Sequence, residues 1–122
     1  MAMQTLDKIE VFKKCVYAYQ SVMNLKNYEI HVFPQEKELA RASFKVYEKG
    51  KLISVFYSTW WIDNVEDYRE IERVAFHEVY ESTLYKIKTE LRRTFNEDYV
   101  NELIHSNVRL IENLYFDLID KL

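Results

Sequence analysis

The sequence predicts an α+β fold: an N-terminal helix, a small antiparallel sheet of about three strands, then a long helix and a C-terminal helix. Three observations predict it. Apolar residues recur at three- and four-residue steps over 6–23 and again over 100–122. Two runs, 40–47 and 52–57, alternate apolar with polar residues, and the only glycine, Gly50, lies between them.

Leu6, Ile9, Phe12, Val16, Tyr19 and Met23 form one face of a first helix that reaches about Lys26, with Thr5 as its cap. YEIHVF at 28–33 is a β-rich run that stops at Pro34. Ala40, Ala42, Phe44 and Val46 then alternate with Arg41, Ser43, Lys45 and Tyr47, while Ile53, Val55 and Tyr57 alternate with Leu52, Ser54 and Phe56. EKGK at 48–51 is the hairpin turn between these strands. STWWIDN at 58–64 continues or ends the last strand, and Asp63 or Asn64, with Glu66 and Asp67 downstream, marks the start of a helix to about Arg93. Asn96 caps the last helix, 97–121, whose apolar stripe is Val100, Leu103, Ile104, Val108, Ile111, Leu114, Tyr115, Leu118 and Leu122. Asn107 falls within that stripe and requires a hydrogen-bond partner or a homodimer interface.

A chain of 122 residues is expected to form one domain, 1–122, and its 48 % hydrophobic content is far from a disordered composition. One Gly and one Pro leave no material for a glycine-rich phosphate cradle, which disfavours a nucleotide-binding fold. A net charge of −3 gives no general attraction to nucleic acid or an anionic membrane, and the basic cluster Lys86, Lys88, Arg92 and Arg93 reads as a solvated helix end. Cys15 stands alone, which excludes an intrachain disulfide and a cysteine-rich zinc site and fits a reducing compartment. No apolar run has signal-peptide or bilayer length, so a cytoplasmic location is expected.

Residues 74–87, VAFHEVYESTLYKI, carry the chemistry. Ile71, Val74, Ala75, Phe76, Val79, Tyr80, Leu84, Tyr85 and Ile87 surround this helix almost completely, so its centre is buried. Carboxylates buried there must be ion-paired, hydrogen-bonded, protonated or bound to a cation. On one reading His77 and Glu81, four residues apart, grip one ion: zinc accepts an imidazole and a carboxylate, and so do manganese and iron. Glu78 then serves as the general base. On the other reading the acids pair with Arg or Lys from neighbouring elements and the histidine donates to a backbone carbonyl. A third ligand is offered by His105, on the flank of the last helix's stripe, whereas Glu102 points almost directly away. Glu102 and His105 also spell one ExxH, half of what a carboxylate-bridged di-iron site needs. Tyr57, Trp60 and Trp61 suggest an exposed aromatic edge that pairs with a substrate or partner strand; the alternative puts one Trp in the core and the other on the first helix. His31 reads as a structural or surface histidine, and Arg109 as solvated, paired or steadying a substrate.

YEIHVF, ARASFKVY, ISVFYSTWW, REIERVAFHEVYESTLYKI and NELIHSNVRLIENLYF, in that order, resemble the small zincin-like metallopeptidases encoded by phages and bacteria, over roughly residues 28–116. The resemblance implies a short sheet packed on a helix that bears HExxH, with a later helix supplying a third ligand. By position it makes His77 the first ligand, Glu78 the base, Glu81 the second ligand and His105 the third; Ala75, two residues before the histidine, also matches. Glu81 stands where the family has its second histidine, and the added negative charge raises the pKa of the reacting water. Two functions are therefore implied: a metal-dependent, peptidase-like hydrolase acting on peptides, or an inactive relative that binds and modulates a host protein, in the host cytoplasm if the chain is viral.

Overall fold

The computed structural model describes residues 4–36 and 40–122. Residues 1–3, part of the N-terminal segment read above for an export signal, lie outside the described residues. The described elements are α1 (Thr5–Val22), β1 (Glu29–Gln35), β2 (Ala42–Tyr47), β3 (Leu52–Ser58), α2 (Thr59–Asn64), α3 (Tyr68–Thr83), α4 (Tyr85–Arg92) and α5 (Glu97–Asp120). The α+β class and element order are those expected from the periodicities, and several local assignments differ.

Helix α1 begins at Thr5, but Thr5 is not its cap: Gln4 holds that position without a side-chain bond, and the Thr5 hydroxyl donates to Asp63 Oδ1 at 3.0 Å. The helix ends because Asn24 turns left-handed at φ 59°, which lets the Leu25 N–H reach back to the Gln20 carbonyl at 2.9 Å. Strand β2 pairs antiparallel with β3 as the hairpin predicts, but β1 pairs parallel with β3, so the sheet is mixed and its order is β1-β3-β2. The reason is topological: β3 inserts between β1 and β2, and a strand antiparallel to β2 there shares the direction of β1. Strand β1 also runs past Pro34 to Gln35, which an edge strand tolerates because proline removes a donor only from its own position. In the hairpin turn the left-handed residue is Lys51, at φ 50°, and not Gly50.

The STWWIDN run does not extend the strand. Ser58 ends β3 and caps α2, its hydroxyl accepting from the Trp61 N–H at 3.1 Å, which swings Trp61 into the core. Asp67, not Asp63 or Asn64, caps α3 by accepting from the Arg69 N–H at 2.9 Å. The expected single helix to Arg93 is broken at Leu84, whose φ −90° and ψ 4° separate α3 from α4. Asn96 caps α5 as expected, accepting from the N–H groups of Asp98 and Tyr99 at 2.8 and 3.4 Å.

One face of the sheet is apolar in matched rows across the register: Ile30, Ile53 and Val46; Val32, Val55 and Phe44; Pro34, Tyr57 and Ala42. Helices α1 and α3 complete the core, with Phe12 fully buried and set edge-on to Tyr57 and Trp61 at ring separations of 5.9 and 6.0 Å. Phe76 of α3 stacks on Tyr115 at 4.7 Å and meets Phe116 and Tyr19 edge-on, which ties α5 and α1 to α3. Only part of the expected α5 stripe is internal. Of it Val100, Ile104 and Val108 are buried, Ile111 and Tyr115 half-buried, and Leu103, Leu114, Leu118 and Leu122 exposed, while Phe116, outside the expected stripe, is fully buried. Asn107 is likewise exposed, and accepts from the Tyr80 hydroxyl at 3.1 Å. Among the described residues no helix is long and apolar enough to cross a membrane.

Replacing Phe12 by Ala removes a fully enclosed ring and is expected to cost about 3–5 kcal/mol, whereas Leu118→Ala is expected to change stability by no more than about 0.5 kcal/mol; urea unfolding monitored by tryptophan fluorescence measures both.

Candidate metal centre

Helix α3 lies between the sheet and α5, and that position dictates what happens to its polar residues. Ile71, Ala75 and Val79 fill the core side, so the neighbouring face carrying His77, Glu78 and Glu81 is drawn under α5 and the edge of β2. Glu78 and Glu81 retain only 8 % and 6 % of their exposure. The return of the chain through α5 brings His105 over them, its ring stacked on that of His77 at 5.9 Å.

The three groups converge. His77 Nε2 lies 3.4 Å from Glu81 Oε2, and His105 Nε2 lies 3.6 Å from Glu81 Oε1. One donor atom from each of His77, Glu81 and His105 falls within 4.8 Å of the others. A tetrahedral ion with nitrogen and oxygen ligands at about 2.0–2.2 Å would separate its donors by about 3.3–3.6 Å, and each measured pair has about that length, His77 to one Glu81 oxygen and His105 to the other. Two imidazoles and one carboxylate leave a fourth position open, and the donor set suits a divalent ion of zinc, manganese or iron type.

Glu112, one residue past Ile111 on α5, was not singled out by the sequence, yet it completes this arrangement. Its Oε1 lies 3.2 Å from His77 Nδ1. A carboxylate only accepts, so the Nδ1–H donates to it and Nε2 is the nitrogen turned toward Glu81. Arg73, one turn before His77, holds Glu112 in turn at 3.4 Å, donates to Asn113 Oδ1 at 2.6 Å and lies over the Phe116 ring. The only signal for Glu112 was its spacing of seven from His105, two turns along the same helix face.

Lys88 of α4 is the other omission. It was read as part of a solvated basic end, but its side chain is 16 % exposed and its ammonium sits 3.9 Å from Glu81 Oε1. The break at Leu84 turns α4 so that Lys88 lines the groove. Glu102 is exposed, as its helical position requires, and takes no part. The expected aromatic edge of Tyr57, Trp60 and Trp61 is not formed: β3 is the central strand, Tyr57 and Trp61 are buried against Phe12, and Trp60 alone is exposed, on α2. The strand that borders the cluster is β2, whose residues 42–47 line the same cavity as His77, Glu78, Glu81 and His105. His31 and Arg109 are exposed and line neither cavity at the cluster, His31 lying 3.4 Å from Glu29.

The electrostatics separate the two acids. Burial raises the Glu78 carboxyl to about 7; the charge of His77 opposes this, Glu81 adds to it and Arg41 opposes it. Among the described residues Glu78 has no hydrogen-bond or ion-pair partner. Burial also acts to raise Glu81, but the hydrogen bond from His77 and the charges of His105, His77 and Lys88 outweigh it and hold Glu81 below its ordinary range. The hydrogen bond to Glu81 raises the His77 pKa, burial opposes it, and the charges of Glu78, Glu81 and Glu112 reinforce it. The result is one ionised acid between two imidazoles, beside one acid poised to exchange a proton near neutral pH.

An α+β fold with a His-Glu-His cluster under an edge strand is the class that fold and site define. Among solved structures, the chain is similar to the metallopeptidase zymogen of Methanocaldococcus jannaschii jannalysin, at 21 % identity and a TM-score of 0.48, over 84 % of this chain and 96 % of that one. At that level a likeness transfers no activity. No protein-family model matches the sequence, and no curated protein matches it significantly.

Because the Glu78 pKa is raised on folding from about 4.5 to about 7, the folded protein holds that proton more tightly than the unfolded chain, and stability falls as pH rises through this window. Glu78→Gln in metal-free protein is therefore expected to be stabilising at pH 8, on the order of 2 kcal/mol, with the gain vanishing by about pH 4. Paired urea titrations of the two proteins across this range measure the difference.

Proposed function

We propose that the protein is a metal-dependent hydrolase of peptide or amide bonds, in which His77, Glu81 and His105 hold a divalent ion and Glu78 is the general base. The observation that carries this reading is the convergence of the three donors within 4.8 Å, next to a buried carboxylate that has no ion-pair partner among the described residues. A divalent ion held there supplies Lewis acidity to a carbonyl oxygen and to water. The chain supplies the rest. Glu78, with its proton affinity set near neutrality by burial, accepts a proton from the attacking water and returns it to the leaving amine. Glu112 fixes the His77 tautomer, and Arg73 fixes Glu112.

A peptide is the favoured substrate because of the shape of the groove. A cavity of about 490 Å³ and another of about 550 Å³ share Ala42, His77, Glu78 and His105, so open space adjoins the cluster on two sides. One wall is β2, the edge strand of the sheet among the described residues, and an edge strand offers main-chain groups to an extended chain. Glu81 in place of a second imidazole places more negative charge at the centre, which favours metal retention over fast turnover.

The test is metal analysis of protein purified without a polyhistidine tag. About one equivalent of zinc, manganese or iron per chain is expected, with a rise in melting temperature on adding the ion to stripped protein. His77→Ala and His105→Ala are expected to abolish that binding, and Glu112→Gln to weaken it by about 10–100-fold. Glu78→Gln is expected to keep the metal and lose peptide hydrolysis. Less than about a tenth of an equivalent, with no thermal shift, overturns the proposal and leaves the cluster as an ion-pair network centred on Glu81 and Lys88. Full metal occupancy without hydrolysis of any peptide favours the inactive, partner-binding alternative.

A further inference from the structure

The two ends of the groove differ in charge. On the side toward the start of α3, each arginine is matched by an acid: Arg41 with Glu70 at 3.0 Å, Arg69 with Glu72 at 3.0 Å, and Arg73 with Glu112 at 3.4 Å. On the α4 side the matches are weaker, one acid being shared with two histidines and the other largely exposed. Tyr85, Lys88 and Arg92 recur at three and four residues, share one face of α4, and line the cavity that holds the cluster. Among the described residues Lys88 has a single acid in ion-pair range, Glu81 at 3.9 Å, and that carboxylate already faces both histidines. A divalent ion between those groups takes up the Glu81 charge and leaves the ammonium facing net positive charge. Arg92 donates to Asn101 Oδ1 at 3.0 Å and lies 3.4 Å from Glu97, whose side chain is 70 % exposed, a pairing of the weak, exchangeable kind. Phe44, Val46 and Tyr85 wall the same cavity with apolar surface, which strengthens a charge contact made within it.

We propose that Lys88 and Arg92 form a carboxylate-binding subsite on the α4 side of the cluster, so that the substrate is a peptide with an acidic side chain or a free C-terminal carboxylate close to the bond cut. This rests on the hydrolase reading above. Arg92 offers a planar fork that suits a carboxylate, and Lys88 a point charge behind it. The subsite gives the groove a direction, because the arginines at its other end are already neutralised.

The experiment uses full-length, zinc-loaded Glu78→Gln protein, which binds without cutting, and calorimetric titration with three acetylated hexapeptides. The first has an internal glutamate among alanines and an amidated end; the second is all alanine with a free carboxylate; the third replaces the glutamate by glutamine and is amidated. At least one acidic peptide is expected to bind about tenfold more tightly than the glutamine peptide, as a partly desolvated charge-assisted pair provides, and which of the two does so identifies the source of the carboxylate. Adding Lys88→Met and Arg92→Gln is expected to reduce that preference to within about twofold, while Lys26→Gln, exposed beyond the end of α1 and lining neither cavity, leaves it unchanged. Should the double change impair folding, Arg92→Gln alone is expected to lower the preference about threefold. Equal affinity for all three peptides with zinc bound, or a preference that survives the double change, overturns the subsite and leaves the hydrolase reading standing. Failure of the protein to hold zinc overturns both.

Discussion

The constraint from which the rest of the molecule follows is the burial of two carboxylates one turn apart on α3. Glu78 and Glu81 are almost fully enclosed, and a buried acid without a counter-charge costs more than a small domain can absorb at several positions. The chain resolves the two differently. Glu81 is surrounded by two imidazoles and an ammonium and stays ionised, while Glu78 has no ion-pair partner among the described residues and, buried, shifts its proton affinity instead. An arrangement serving stability alone would pair both acids or replace them by apolar residues of similar volume.

That difference depends on rigid support. Helix α3 is held on one side by the apolar rows of the sheet and α1, and on the other by the ring contacts of Phe76 with Tyr115 and Phe116. The same α5 segment then provides His105, Glu112 and Asn113, so one helix delivers a cluster member, the group that orients His77, and an acceptor for Arg73. The fully buried Val108 and Phe116 anchor the turns on which these polar residues sit. Packing energy thus sets polar geometry, in the sense that donor positions are fixed by side chains which carry no chemistry themselves.

What the sequence made legible was local. The α1 periodicity, the β2–β3 hairpin and the Asn96 cap depend on neighbours a few residues away, and all three are present. The parallel pairing of β1 was not legible, because alternation specifies which face of a strand is apolar but not which strand lies beside it. Trp60 and Trp61 looked strand-like by propensity; the Ser58 cap and the space beside Phe12 prevailed, and the aromatic edge dissolved into one core residue and one surface residue. On α5 the apolar residues cover two faces, and periodicity did not distinguish the valines and isoleucine that are buried from the leucines that are not. At the site, the grouping of His77, Glu81 and His105 was legible through their spacing and the family resemblance. Glu112 and Lys88 were not, since each acts through a helix whose placement depends on the tertiary fold.

The interruption at Leu84 has a mechanical meaning. The single non-helical residue separates α4 from α3, and Leu84 and Leu91 then pack against the buried Val100, Ile104 and Val108, so the outer half of the groove wall is seated on α5. The span from the cationic tips to His105 is thereby set by one apolar seam, and loosening that seam would displace charge and imidazole together.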